Sequence, residues 1–322
     1  MPIVDHKELD HNMCGWSVYD RITLIYNVPK LSSCHFSCGS LFGVDTMLLY
    51  RTDKGAVTIQ DGQAYATEGE WDDLVNDDVL ADRLASVVEN SVPNPALLNA
   101  IHSPLPPLVS QEIWAAGVTY FRSRTARMEE SEVAGGGDFY DRVYAAKRPE
   151  LFLKATPHRT VGTGQAMHLR KDSKWIVPEP ELTLAVSSKG KIIGYTIGND
   201  LSCRDLEGEN PLYLPQAKTF DRCASVGPAL LITRDPLPKE TTISLTIRRE
   251  GAKVFEESTT LANLKRSPEE LVEFLFRDNS HPKGCLLMTG TGIVPPDDFS
   301  LRPGDMVEIH IEGIGRLVNT ME

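Results

Sequence analysis

Glu179 and Glu181 stand two residues apart in VPEPELTLAV, residues 177–186, at the mouth of an apolar stretch that reads as a strand. On a strand, side chains at i and i+2 share a face, so both carboxylates point the same way. The chain continues LTLAVSSKGKIIGYTIGND. A two-residue hairpin turn at Lys189–Gly190 would set Glu181 opposite Gly198 and Glu179 opposite Asp200. Three carboxylates then gather at one end of one hairpin. Pro178 and Pro180 lack a backbone N–H, which suits a strand end better than the middle of a ladder.

Carboxylates packed this way raise each other's pKa unless a cation intervenes. Oxygen ligands with no His or Cys among them favour Mg²⁺, Mn²⁺ or Ca²⁺ over zinc. Three protein ligands would leave about three of six octahedral positions for water or substrate. The alternative reading of the same residues is a solvated acidic strand end with arginine partners. Downstream, Arg204 has the forked guanidinium that binds carboxylates. Lys218 lies between apolar Leu214 and Phe220. A desolvated lysine beside a metal can serve as a base; for both cations a surface ion pair is the plainer reading. Cys34, His35 and Cys38 in CHFSC offer a metal clip, but no second Cys/His pair at zinc spacing follows, so a structural role is preferred.

The elements that must carry these residues are mostly strands. LFGVDTMLLYR and GAVTIQDGQAYA read as strands and turns, and DDVLADRLASVVEN as a helix with Leu80, Leu84, Val87 and Val88 on one face. The five prolines of SVPNPALLNAIHSPLPPLVS argue for a linker, and place a boundary near residue 105 between a small β-rich N-terminal domain (1–105) and a second domain (106–322). In the second part IWAAGVTY, ELFLKA, LTLAV, IIGYTIG, TISLTIRR, GCLLMTGTG and MVEIHIEGIG are predicted strands. SPEELVEFLF is a predicted helix with Ser267 at N-cap, Pro268 at N1 and Glu270 at N3. Gly135, Gly136 and Gly137 mark a hinged cover or a plain flexible loop.

The bulk numbers narrow the class. The chain has 322 residues, 41% hydrophobic and 24% charged, with a net charge of −12. The acidic balance argues against nucleic acid as a partner, while leaving room for a small anionic substrate in a local basic pocket. No run of about 18 apolar residues suggests a membrane span. The N-terminus lacks the pattern of a secretory signal, so a cytoplasmic location with reduced thiols is expected.

The order E-x-E, GND-x-S-x-RD, K-[ST]-F-D, TGT, L-x-PGD and EGIG resembles the fumarylacetoacetate hydrolase family over residues 110 to 322. Within it, AAGVTY, DFYDRVY, KRPELFLKATPHR and RDLEGENPLYLPQAK resemble the branch of 2-keto-3-deoxy-pentonate (arabinonate or xylonate) dehydratases. The resemblance implies an α+β fold, with a mixed β-sheet roll as catalytic domain and a smaller N-terminal domain, assembled as a homodimer or homotetramer. It implies Glu179, Glu181 and Asp200 as ligands of Mg²⁺ (or Mn²⁺), Lys218 as an active-site lysine, and Arg204, Thr291, Gly290 and Tyr120 as substrate contacts. The family's C–C hydrolases carry a His three residues beyond the tyrosine of the GxxY turn; here Ser123 stands there, which favours elimination of water. The expected reaction is dehydration of a small anionic 2-keto acid, with Lys218 as base and Glu150 as the acid that protonates the leaving hydroxyl. Glu129 and Glu130 are reserves for that acid. The alternatives are C–C hydrolysis of an acylpyruvate, a hydratase or isomerase of meta-cleavage products, and a non-enzymatic sugar-acid binder.

Overall fold

The computed structural model describes residues 46–120 and 143–322. The readings placed on Cys34, His35, Cys38, Ser123, Glu129, Glu130 and Gly135–Gly137 lie outside the described residues.

Strands form where apolar runs are punctuated by turn residues. Strands β1 (Met47–Thr52), β2 (Gly55–Gln60) and β3 (Gln63–Thr67) make a meander. Its second turn uses Asp61 and Gly62, both at positive φ (49° and 73°), as a two-residue hairpin turn requires. Helix α1 (Trp71–Leu74) and helix α2 (Leu80–Asn90) follow, and α2 buries Leu80 and Leu84 as the i, i+4 spacing predicts. The proline-rich stretch is not wholly a linker. Residues Pro95–His102 form a 3₁₀ helix with Asn94 as its cap, whose side chain accepts the Ala96 N–H. Pro95 sits in the first turn, where no N–H is missed, so the proline count misled.

The remaining strands are β4 (Glu112–Gly117), β5 (Glu150–Ala155), β6 (Thr160–Val161), β7 (Ala166–Met167), β8 (Ile176–Val177), β9 (Pro180–Val186), β10 (Ile192–Asp200), β11 (Ser202–Cys203), β12 (Ala224–Ile232), β13 (Thr242–Arg249), β14 (Ala252–Thr260), β15 (Cys285–Met288), β16 (Met306–Ile311) and β17 (Gly315–Met321). Helices α3 (Arg204–Glu209) and α4 (Leu214–Lys218) lie between β11 and β12, and α5 (Pro268–Leu275) precedes β15. Ser267 caps α5 by accepting the Glu270 N–H at 3.1 Å. The Glu270 carboxylate takes Arg266 at 2.7 Å instead of reaching back to the cap.

The strands build a ten-stranded sheet in the order β3-β2-β1-β12-β10-β9-β15-β4-β5, with β6 off β12, and a five-stranded sheet β14-β13-β16-β17-β7. Both parallel and antiparallel pairs occur, so the sheets are mixed, as the α+β reading expects. The smaller sheet packs on the larger, β17 against β12 and β13 against β9. Leu245, Ile309 and Leu317 join Leu182, Ile197 and Val226 in one core. Each such buried side chain contributes about 1.5–3 kcal/mol of burial free energy. Strands β9 and β15 are buried along their whole length, which is why they read as near-continuous apolar runs. Strand β1 pairs with β12 (Leu48↔Leu231), so residues 46–105 extend the sheet that carries the hairpin of Glu179, Glu181 and Asp200.

Candidate active site

The β9–β10 hairpin positions the first three acids. Its loop has three residues and not the two expected: Ser187 N–H donates to Lys191 O and Gly190 N–H to Ser187 O, each at 2.9 Å. Gly190 takes φ +77° to close that turn. A bulge between Ile192 and Gly194 then absorbs the extra residue, so Gly198 faces Glu181 and Asn199 faces Pro180. Asp200 N–H donates to Glu179 O at 3.0 Å, completing the expected alignment. Gly198 is required by packing: a Cβ there would lie 2.3 Å from Thr183 Oγ1 and 2.9 Å from Met288 Cε.

The result is a buried acidic triad. Glu179, Glu181 and Asp200 each offer a carboxylate oxygen, all within 4.8 Å of one another. They are 5%, 1% and 1% exposed. Burial first, then the charges of Asp200 and Glu179, hold the Glu181 carboxyl well above the usual carboxylate range. Gly290 N–H donates to Glu181 Oε2 and partly offsets this. The loop after β15 is aimed by Thr289, whose N–H and hydroxyl both donate to Leu182 O.

Cations close in from three other elements. The short β8–β11 pair, with Arg204 N–H on Trp175 O, brings the Arg204 guanidinium 2.7 Å from Glu179 Oε1. Lys218, at the end of α4, places Nζ 2.8 Å from Glu179 Oε2, 3.2 Å from Asp200 Oδ2, 2.5 Å from Ser202 Oγ and 3.3 Å from Glu207 Oε1. Lys154 of β5 reaches Asp200 Oδ1 at 2.7 Å. Buried carboxylates Glu179, Glu181, Asp200 and Glu207 thus meet buried Lys154, Lys218 and Arg204; counted as fully ionised, the seven carry one negative charge in excess. A divalent cation together with a monoanionic ligand would bring the cluster to neutrality. All-oxygen donors, and the relief a cation would give the raised Glu181 carboxyl, fit Mg²⁺ or Mn²⁺.

The other expected residues surround this cluster in different ways. Glu150 opens β5 opposite Gly117 of β4, half-buried, its carboxylate lying over the glycine. A Cβ on Gly117 would stand 2.1 Å from Glu150 Oε2. Replacing Gly117 by alanine should therefore push that carboxylate aside; if Glu150 is the acid, kcat falls about 100-fold while Mg²⁺ affinity holds, since about 1 Å of misplacement has that cost. Unchanged kcat in steady-state assays would remove Glu150 from the mechanism. Tyr120 is buried, and burial followed by the Glu181 charge pushes its phenol pKa up, which keeps the phenol protonated. Its ring packs against Gly292, where a Cβ would meet Tyr120 Cδ1 at 2.6 Å. Val118, between Gly117 and Tyr120, adopts φ +55°, a costly conformation for a β-branched residue.

Three expected substrate donors turn inward. Arg204 is engaged with Glu179, the Gly290 amide with Glu181, and the Thr291 hydroxyl with Ile293 O at 3.1 Å. Gly290 takes φ +92°, and a Cβ there would clash with Thr119 Oγ1 at 1.9 Å. Two site residues were given no role from the sequence: Lys154, and Glu207, which stands in the dense polar stretch with Arg204 and Lys218. Lys154 had a signal: it shares strand parity with Glu150 in ELFLKA, and a lysine inside an apolar strand is unusual. Glu207 follows Arg204 by three residues on one helical turn, a spacing that lets the two meet.

A mixed-sheet scaffold with a buried carboxylate site for a hard cation defines the class. The chain belongs to the fumarylacetoacetate hydrolase family: the model of the Fumarylacetoacetate (FAA) hydrolase C-terminal matches residues 129–322. It is 50% identical over 216 residues, 67% of this chain and 73% of the relative, to a "probable 2-keto-3-deoxyxylonate dehydratase" of Haloferax volcanii. It is 43% identical over 251 residues, 77% of this chain and 83% of the relative, to a "2-dehydro-3-deoxy-D-arabinonate dehydratase" of Saccharolobus solfataricus. A solved structure of a 2-keto-3-deoxy-D-arabinonate dehydratase complexed with magnesium and 2,5-dioxopentanoate superposes with a TM-score of 0.71 at 33% identity, covering 86% of this chain and 98% of that one.

Proposed function

We propose that this protein is a Mg²⁺- or Mn²⁺-dependent dehydratase that converts a 2-keto-3-deoxy-pentonate, of the arabinonate or xylonate type, to 2,5-dioxopentanoate and water. The observation that carries the reading is the buried Glu179, Glu181 and Asp200 triad with Lys218 against it, in a chain whose relatives at 50% and 43% identity are named as a probable dehydratase and a dehydratase of such acids.

A divalent cation held by the triad would polarise the 2-keto group of the substrate and stabilise the negative charge that builds as C3 loses a proton. Lys218 in its neutral form is the proposed base: its Nζ stands beside the carboxylates that would share the cation, and a cation held there would favour loss of its proton. Glu150 is the proposed acid for the C4 hydroxyl; its half-buried carboxyl can meet both solvent and substrate. After water leaves, a second enolisation moves the double bond toward C5 and the aldehyde forms. Arg204 and the Gly290 amide act on substrate through the ligands they hold, Glu179 and Glu181.

No helix among the described residues is long and apolar enough to cross a membrane. We propose a cytoplasmic homodimer or homotetramer, read by cell fractionation and by light scattering on the purified chain. Proton NMR of the Mg²⁺-loaded protein with 2-keto-3-deoxy-D-arabinonate tests the reaction: an aldehyde signal that EDTA abolishes, without loss of a carbon fragment, is the expected result. An unchanged substrate, with the acid of opposite C4 configuration equally inert, would overturn it.

A further inference from the structure

We propose that Lys154 is a positioning residue for this site, a single buried ammonium that fixes the metal ligand Asp200 and the backbone of Lys218 relative to strand β5. This rests on the metal-dependent reading of the triad, though not on the identity of the substrate.

The argument starts from a cost. Lys154 is fully buried, with 0% exposure. A charged ammonium is removed from water only if its hydrogen bonds are replaced. They are: its ammonium donates to Leu201 O at 2.9 Å and to Lys218 O, and is ion-paired with Asp200 Oδ1 at 2.7 Å. The Phe220 ring lies under the ammonium, 5.6 Å from its centroid to Nζ. Its nitrogen is fully buried and surrounded by these three oxygens, which places Lys154 as a support of the site and not as its base or a substrate ligand.

The identity of the three acceptors makes the role specific. Asp200 ends β10 and belongs to the acidic triad. Leu201 follows it, and its carbonyl orientation sets where the chain leaves the hairpin. Lys218 ends α4, and its carbonyl is the anchor from which the side chain reaches Glu179 and Asp200. Lys154 itself lies on the strand that begins with Glu150, four residues on, where the pairing with β4 is irregular between Leu153 and Ala155. One nitrogen therefore ties together the elements that carry the proposed acid, one metal ligand and the proposed base. With Oδ1 held by Lys154, the Asp200 carboxylate also loses its freedom to rotate.

Charge and position predict opposite signs, which makes the proposal testable. Removing a cation beside a metal ligand, by charge alone, should tighten divalent-cation binding. Removing the residue that aims the ligand should weaken it, typically 10–100-fold for groups that orient metal ligands. The experiment is Mn²⁺ titration of the metal-free protein followed by electron paramagnetic resonance, with kcat and KM on the keto acid measured separately. For Lys154→Met, Mn²⁺ affinity is expected to drop about tenfold or more, with kcat reduced more than KM is raised. Mn²⁺ binding that is unchanged or tighter would overturn the proposal. If the methionine variant does not fold, Lys154→Arg decides. The guanidinium keeps the charge, yet its planar fork cannot set one nitrogen against all three oxygens. Wild-type Mn²⁺ affinity and kcat in that variant would show that charge is enough and overturn positioning; weakened binding supports it. Because Mn²⁺ is read without substrate, a wrong substrate assignment leaves this result standing, and a wrong role for Lys154 leaves the turnover of the unaltered protein standing.

Discussion

Glu181→Gln is expected to lower kcat/KM by about 1000-fold, the effect of removing several kcal/mol of charge stabilisation at the enolising carbonyl. Glutamine has the same shape and keeps an oxygen to accept the Gly290 N–H, so the loop after β15 need not move. What disappears is one negative charge from a buried set of three. The metal-free variant should therefore be no less stable than the parent, because the charge removed is one that burial, Asp200 and Glu179 all disfavour. Mg²⁺ binding, followed by calorimetry, should weaken by at least about 10-fold. This pairing of a ruined site with an intact or more stable fold separates a functional acid from a structural one. Normal turnover with unaltered Mg²⁺ affinity would move the metal site elsewhere.

Lys218→Ala should reduce kcat by about 100- to 10,000-fold, the range for removal of a general base, while leaving the triad able to bind Mg²⁺. In the structure the Lys218 ammonium occupies oxygens of Glu179 and Asp200, so the alanine variant should bind Mg²⁺ at least as tightly as the parent. The decisive readout is exchange of the C3 protons of the substrate in D₂O. Loss of that exchange together with turnover assigns Lys218 to proton removal. Turnover near the parental rate rules it out as the base. Exchange that persists while dehydration stops places its role after the first proton transfer. The opposite effects of the Glu181 and Lys218 variants on metal affinity follow from their opposite charges in one desolvated cluster.

Much of the metal site was legible because strand periodicity is a local property. Alternation places Glu179 and Glu181 on one face, and chain continuity through one hairpin brings Asp200 to them. The inference survived a wrong turn, since the bulge near Ile193 cancelled the extra loop residue. The α5 cap and the α2 face were also local, set by Ser267 and by Leu80 and Leu84. The 3₁₀ helix at Pro95 was missed because a proline count ignores position within the first helical turn.

What the sequence by itself determined is the chemistry at hand: which residues are acids, which face of the hairpin bears them, and that oxygen ligands suit a hard cation. Only the tertiary structure decided where the cations go. Lys154 reaches the Leu201 and Lys218 backbone carbonyls across 47 and 64 residues of chain, and Asp200 beside them, and Arg204 turns to Glu179 and not outward. Such pairings depend on which strands lie side by side, and neighbours in a mixed sheet are set by global topology and packing, which no local spacing encodes.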